Sequence, residues 1–179
     1  NMKALNGIID KAEFYSSPNC DSRPDNIDID LFVIHAISLP PGDYNTQLIK
    51  DLFLNNLDPG SNEFLKSIEN LKVSSHFLIT RSGTLIQFVP IHKRSWHAGK
   101  SSFQGRTNCN DFSIGIELEG CDNEEFTSKQ YDALSELIHF LSDSLKINKN
   151  NIVGHSEIAP ERKTDPGPYF DWKLLRSML

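Results

Sequence analysis

Apolar positions along this chain fall into two rhythms, the continuous or alternating runs of strands and the three-and-four steps of helices. Leu31-Phe32-Val33-Ile34 is an unbroken β-type run and predicts a central strand buried on both faces. It delivers His35 at or near its end, before the Ser38-Leu39-Pro40-Pro41-Gly42 break. Ser75–Thr80 (SHFLIT) and Thr84–Val89 (TLIQFV), joined by Arg81-Ser82-Gly83, predict a hairpin. Phe112–Leu118 (FSIGIEL) alternates and predicts a strand carrying Glu117 and Glu119. Ile152-Val153 reads as the end of a buried strand that leads through Gly154 to His155.

The strongest helical pattern spans Ser128–Leu145, where Tyr131, Leu134, Ile138, Leu141 and Leu145 form an apolar stripe. Thr127 and Gln130 match a capping box at its start. His139 lies off the stripe and reads as a solvated position. Shorter helices are expected over Thr46–Asn55, over Asn62–Asn70 with Asn62 as its cap, and from about Asp171 to the end. Residues 1–30 read as an irregular polar arm. Residues 90–111 show no periodicity, yet hold Trp96, His97, Phe103 and Arg106; a loop of that length in a small domain points to a substrate-lining role. Strands and helices mix without a regular βαβ repeat. The expectation is one mixed α/β (α+β) domain, a central mixed β-sheet flanked by α-helices over residues 31–179, with the arm laid over it.

With 38% hydrophobic and 23% charged residues, the chain falls in the globular range, and no run of 18 apolar residues offers a membrane span. A net charge of −6 argues against nucleic acid as the main partner. Three cysteines (Cys20, Cys109 and Cys121) do not suggest a disulfide framework, and Asn1-Met2-Lys3 opens no apolar signal core. Both features lead to the expectation of a cytoplasmic protein, and it is expected to be a monomer.

The chemistry concentrates in Ile152–Trp172 (IVGHSEIAPERKTDPGPYFDW) and one distant partner, His35. Pro166 pushes Asp165 out of helical space, and Pro166-Gly167-Pro168 stiffens the loop around it. If extended, the segment puts Lys163 and Asp165 on one face, about 6–7 Å apart. Two strand-end histidines and a pinned aspartate make a plausible three-ligand zinc site with an open fourth position. Amide hydrolysis further requires a base and a positive charge near the developing oxyanion. Glu117, set among Ile114, Ile116 and Leu118, suits the first role, and Lys163 the second. His76 reads as a core histidine on its hairpin strand. His97, beside Trp96, reads as a substrate contact or structural donor.

The segments HAISLPPG (35–42), VSSHFLITRSGTLIQFVP (73–90), WHAG (96–99), QGRTNCNDFSIGIELEG (104–120) and GHSEIAPERKTDPGPYFDW (154–172) resemble the zinc-dependent N-acetylmuramoyl-L-alanine amidases that share a fold with peptidoglycan recognition proteins. Among these, the sequence is most similar to the cytosolic amidases of cell-wall recycling. The resemblance implies one zinc per chain on His35, His155 and Asp165, with Glu117 and Lys163 in catalysis. Peptidoglycan recognition proteins often carry cysteine as third ligand; Asp165 follows the recycling amidases. The implied substrate is a muropeptide, cut between (1,6-anhydro-)N-acetylmuramic acid and L-alanine. Trp96 would pack on the sugar, and Arg106 and His97 would contact substrate. Lys72, expected as a further substrate contact to a carboxylate, stands where the family would have an arginine, which keeps the charge but loses the bidentate fork. The competing expectations are an exported amidase acting on intact peptidoglycan and a non-catalytic muropeptide-binding module.

Overall fold

A computed structural model describes all 179 residues, Asn1–Leu179. The first thirty residues are less irregular than their sequence suggests. They carry β1 (Ala4–Leu5) and β2 (Ile8–Ile9), a small hairpin, then β3 (Glu13–Phe14) and β4 (Cys20–Ser22). Next come β5 (Leu31–Ile37), α1 (Thr46–Phe53), α2 (Glu63–Ile68), β6 (Phe77–Ile79) and β7 (Leu85–Gln87). The long loop contributes β8 (Lys93–Ser95), β9 (Ser102–Phe103), β10 (Arg106–Thr107) and a 3-10 turn at Cys109–Asp111. The chain closes with β11 (Ser113–Glu119), α3 (Ser128–Leu145), β12 (Ile152–Gly154), the one-turn α4 (His155–Ile158) and α5 (Trp172–Met178).

Six strands form the central sheet in the order β12-β5-β11-β6-β7-β3. Only the β6–β7 hairpin pairs antiparallel; the other neighbours run parallel. The expected mixed sheet flanked by helices is therefore the architecture, and β5, as its continuous apolar run requires, lies inside it with Leu31 to Ile34 fully buried.

Alternation along β5 and β11 divides the core. Phe32, Ile34, Ile114, Ile116 and Leu118 pack against Tyr131, Leu134, Ile138 and Leu141 of α3, the stripe that its spacing predicts. A Leu134→Ala change there would cost about 2–5 kcal/mol. On the opposite face, Leu31 and Val33 meet Ala98, Cys109, Phe112, Val153 and Ile158. The α3 capping box is formed: Gln130 N–H donates to Thr127 Oγ1 at 3.2 Å, and Thr127 N–H to Gln130 Oε1 at 3.0 Å. Asn62 caps α2 by accepting from Leu65 N–H at 3.0 Å. His139 is half-buried rather than solvated, and its Nε2 lies 2.8 Å from the carbonyl of Met178, tying α3 to the C-terminus.

Two features of the arm organise the loop that follows β7. Strand β4 pairs antiparallel with β8. The Arg23 guanidinium, inserted beneath the loop, donates to the carbonyls of Ile91, Asn110, Asp111 and Ser113 at 3.0–3.1 Å. Residues 90–111 show no periodicity because their strands are only two or three residues long; around them the half-buried Arg23 satisfies the carbonyls of Ile91, Asn110 and Asp111.

Candidate metal centre and cleft

Parallel register assembles the site. Glu117 of β11 stands beside His35 of β5, and Gly154 of β12 pairs with Ile34, so His155 follows one step along, level with His35. All three residues lie on the same face, near the carboxyl ends of their strands, where open parallel sheets hold ligands. Asp165 is brought over by two contacts. Ser156 N–H donates to the Asp165 carbonyl at 3.0 Å, and Ala36 N–H to Asp165 Oδ2 at 3.3 Å. The approach depends on Gly154: a Cβ there would lie 2.8 Å from Pro166 Cδ. The Asp165–Pro166 peptide is cis. Asp122 accepts from Thr164 Oγ1 at 2.6 Å, fastening the segment between Lys163 and Asp165.

The geometry brings His35, His155 and Asp165 together, with one ligand atom from each lying within 4.8 Å of the other two. His35 Nδ1 is 3.0 Å from His155 Nδ1 and 3.4 Å from Asp165 Oδ2, and His155 Nδ1 is 3.2 Å from Asp165 Oδ1. The outer nitrogens settle what these atoms are. His155 Nε2 lies 3.1 Å from the Ala98 carbonyl, which can only accept, so Nε2 carries the proton and Nδ1 is bare. His35 Nε2 lies 2.8 Å from His97 Nδ1. Burial, the largest influence, pushes the His35 pKa down to about 4, so its ring is neutral. Two imidazole nitrogens and a carboxylate thus converge on one point, a cluster that a cation would hold together. The donor set of two imidazoles and one carboxylate fits zinc with one position left open.

Glu117 is 8% exposed; its Oε1 stands 3.8 Å from His35 Nδ1, and its buried Oε2 has no hydrogen-bond partner. Burial first, then the nearby Asp165 carboxylate, pushes its carboxyl well above the ordinary range, while Lys163 acts in the other direction. Lys163 is exposed at the rim. Its neighbour Arg162 is spent on structure, donating to the carbonyls of Ala98 at 2.9 Å and Lys100 at 2.7 Å.

The centre opens into a cleft of about 780 Å³. Half-buried Trp96 lines it with Phe64, Ile68, Leu71 and Val73, and Phe64 and Leu71 remain 38% and 48% exposed. Apolar side chains left open along a cleft wall mark a ligand surface. Three of the expected substrate contacts lie elsewhere or are otherwise engaged. Arg106 does not line the cleft; it pairs with Asp30 at 3.0 Å and stacks on Phe112 with 3.9 Å to the ring centroid. The surface hairpin of β9 and β10, unseen in the sequence, carries it away. Lys72 is exposed, and the lining residues there are its neighbours Leu71 and Val73. His97 reaches the cleft but has both ring nitrogens engaged, Nδ1 with His35 and Nε2 with Ser113 Oγ at 2.9 Å. Both of its ring nitrogens therefore face partners inside the protein. Ser113, Asn110, Asp122 and Arg162 also shape the site. They act through backbone groups and other side chains, so no spacing in the sequence signals them.

The profile of the N-acetylmuramoyl-L-alanine amidase family matches residues 25–168. The 1,6-anhydro-N-acetylmuramyl-L-alanine amidase AmpD of Citrobacter freundii is 47% identical over 173 residues, which cover 97% of this chain and 92% of that protein. Its counterpart in Escherichia coli is 48% identical, covering 91% of this chain and 89% of its own length. A crystal structure of a Se-Met AmpD derivative superposes with a TM-score of 0.96 at 47% identity, covering 99% of both chains. A complex of the E. coli amidase AmiD with the substrate anhydro-N-acetylmuramic acid-L-Ala-D-gamma-Glu-L-Lys superposes with a TM-score of 0.63 at 29% identity, covering 87% of this chain and 60% of that one. With the family profile spanning most of its length, and near-complete coverage of relatives at almost half identity, the chain belongs to the N-acetylmuramoyl-L-alanine amidase family.

Proposed function

We propose that this protein is a zinc amidase that hydrolyses the amide between the lactyl group of 1,6-anhydro-N-acetylmuramic acid and L-alanine in released muropeptides, in the cytoplasmic recycling of peptidoglycan. The observation that carries this reading is the convergence of three ligand atoms with an unpartnered Glu117 oxygen at the end of a cleft. The naming of the AmpD relatives supports the anhydro-sugar, and the ligand of the AmiD complex supports the peptide stem.

His35, His155 and Asp165 hold the metal. When bound there, zinc supplies Lewis acidity toward a water and the scissile carbonyl. Glu117, with an empty and desolvated Oε2, takes a proton as water attacks and returns it to the leaving alanine nitrogen. Lys163, on the rim, places positive charge beside the oxygen that becomes anionic. Trp96 and its apolar neighbours exclude water and offer the sugar a flat face.

The test pairs zinc content with mass spectrometry of products from an anhydro-muropeptide and, separately, from intact sacculi. One zinc per chain, with stem peptide released from the soluble substrate only, is the expected result. Equal release from sacculi would make the protein a wall-cutting amidase. Binding without hydrolysis in zinc-replete protein would make it a recognition module.

A further inference from the structure

Behind the metal centre runs a line of hydrogen bonds whose direction is fixed at its far end. The Cys109 carbonyl can only accept, so the Ser113 hydroxyl, at 2.5 Å, spends its proton there. Toward His97 that hydroxyl is then an acceptor, and His97 Nε2, at 2.9 Å, must carry a hydrogen. A neutral His97 with its proton on Nε2 has a bare Nδ1. That atom, 2.8 Å from His35 Nε2, can only accept, so His35 is protonated on Nε2 and bare on Nδ1. Nδ1 is the atom that faces His155 and Asp165.

The reverse direction fails at both ends. His97 Nε2 would lie bare against a hydroxyl already committed to Cys109. His35 would carry its proton on Nδ1, pointing at His155 Nδ1 and occupying the place of the metal. The surroundings are shaped to hold His97 in this one pose. Its ring lies on the backbone of Gly115, where a Cβ would come within 2.5 Å of the ring. Its backbone N–H and that of Ala98 both donate to Asn110 Oδ1, at 3.1 and 2.8 Å. The His97 and His35 rings meet edge-on at 85°, which aims the Nε2–H at Nδ1.

We infer that His97, oriented by Ser113, is a positioning residue that locks His35 in its metal-binding tautomer and so sets how tightly the cleft holds zinc. This rests on the metal-site reading above. The effect is one of tautomer and ring orientation in neutral histidines, as hydrogen-bond partners of metal-bound imidazoles commonly provide.

Zinc affinity, measured by competition with a chromophoric chelator, tests it in the parent and in two variants. His97→Leu fills the space but offers no acceptor, and is expected to bind zinc about 10–100-fold more weakly. His97→Asn can place Oδ1 where Nδ1 stands, the same number of bonds from the backbone, and is expected to stay within about threefold of the parent. Equal affinity of His97→Leu and the parent would overturn the inference while leaving the metal site intact. Equal weakening in both variants would overturn it as well, by reducing His97 to a packing residue. A parent that takes up no zinc would remove both readings together. Should His97→Leu not fold, the parent still decides: long-range 1H–15N spectra of the zinc-loaded protein are expected to show His35 and His97 both protonated on Nε2, and a His97 proton on Nδ1 would sink the proposal.

Discussion

Two histidine sites lie under the same face of the sheet, and they differ in what is left unspent. His76, on the approach to β6, is fully buried. Its Nε2 donates to the Lys93 carbonyl at 2.8 Å, and its Nδ1 accepts from Gly115 N–H at 3.1 Å with Ser95 Oγ at 2.9 Å. Every lone pair and proton there is used within the protein. At the strand ends, His35 and His155 are almost as buried, and their outer nitrogens are just as occupied. Their inner nitrogens face each other and a carboxylate at 3.0–3.4 Å. Burial therefore does not separate a core histidine from a ligand. The separation lies in whether the second nitrogen finds a partner in the chain.

Removing one of the three converging donors should break this contrast most severely. Asp165→Ala leaves two facing imidazole nitrogens without the carboxylate that completes the set. Turnover of an anhydro-muropeptide is expected to vanish and not to return with added zinc. A chelator-stripped parent should lose activity equally and regain it on zinc addition. Retained zinc and activity in Asp165→Ala would mean that the three residues are not the metal centre.

Glu117→Gln comes next. It keeps the shape of a buried side chain and removes its capacity to take a proton. Turnover should fall by about 10²–10⁴-fold, with zinc content unchanged by metal analysis. Near-normal turnover would remove Glu117 as the base. Lys163→Met is expected to lower turnover by about 10²–10³-fold, and it has a second signature. Lys163 is the charge that counters the upward push of burial and Asp165 on the Glu117 carboxyl. Without it, that pKa rises further. A base works only when unprotonated, so the acid limb of the pH–rate profile should move to higher pH. An unmoved limb would place Lys163 away from Glu117 in the working enzyme.

The same contrast explains how far the sequence could be read. The strands and α3 were legible because apolar spacing reports burial directly: Leu31–Ile34, Phe112–Leu118 and the Tyr131–Leu141 stripe are where the pattern places them. His35, His155 and Asp165 were legible as candidates because each stands at a break, beside Gly154, Pro166 or the end of an apolar run, and the family resemblance joined them. What could not be read is satisfied by backbone rather than by pattern. The strands of the first thirty residues are two or three residues long, too short for any period. Arg23, a lone arginine before Pro24 in the irregular arm, holds four carbonyls under the loop. Arg106 and His97 share that loop, and the sequence offers both as substrate contacts on that ground. Loop membership says nothing about direction: Arg106 turns to Asp30, while His97 reaches the cleft edge with its ring nitrogens engaged by His35 and Ser113.

The smallest expected effect sharpens the comparison from the other side. His76 should be dispensable for chemistry and costly for acid stability. Burial, with a smaller contribution from the Arg23 charge, pushes its pKa down to about 3 in the folded protein. In the unfolded chain an ordinary histidine takes up its proton near pH 6.5. Between these values the unfolded state binds the extra proton, so folded stability is intact above about 6.5 and declines as the pH falls toward 3. From pH 7 to pH 5 the loss assigned to His76 is about 2 kcal/mol. His76→Gln, whose amide can still donate toward the Lys93 carbonyl, does not titrate. Its unfolding free energy at pH 7 should lie below the parent's, since a buried ring is lost. Between pH 7 and pH 5 it should fall by about 2 kcal/mol less than the parent's. Every other titratable group is common to the two proteins, so subtracting the two denaturant series isolates His76. Turnover at neutral pH within about threefold of the parent would set a histidine whose bonds are all internal apart from one whose lone pair is left for metal. Parallel stability curves would show that His76 stays protonatable in the folded state, and that its neighbours leave room for a proton where the geometry now leaves none.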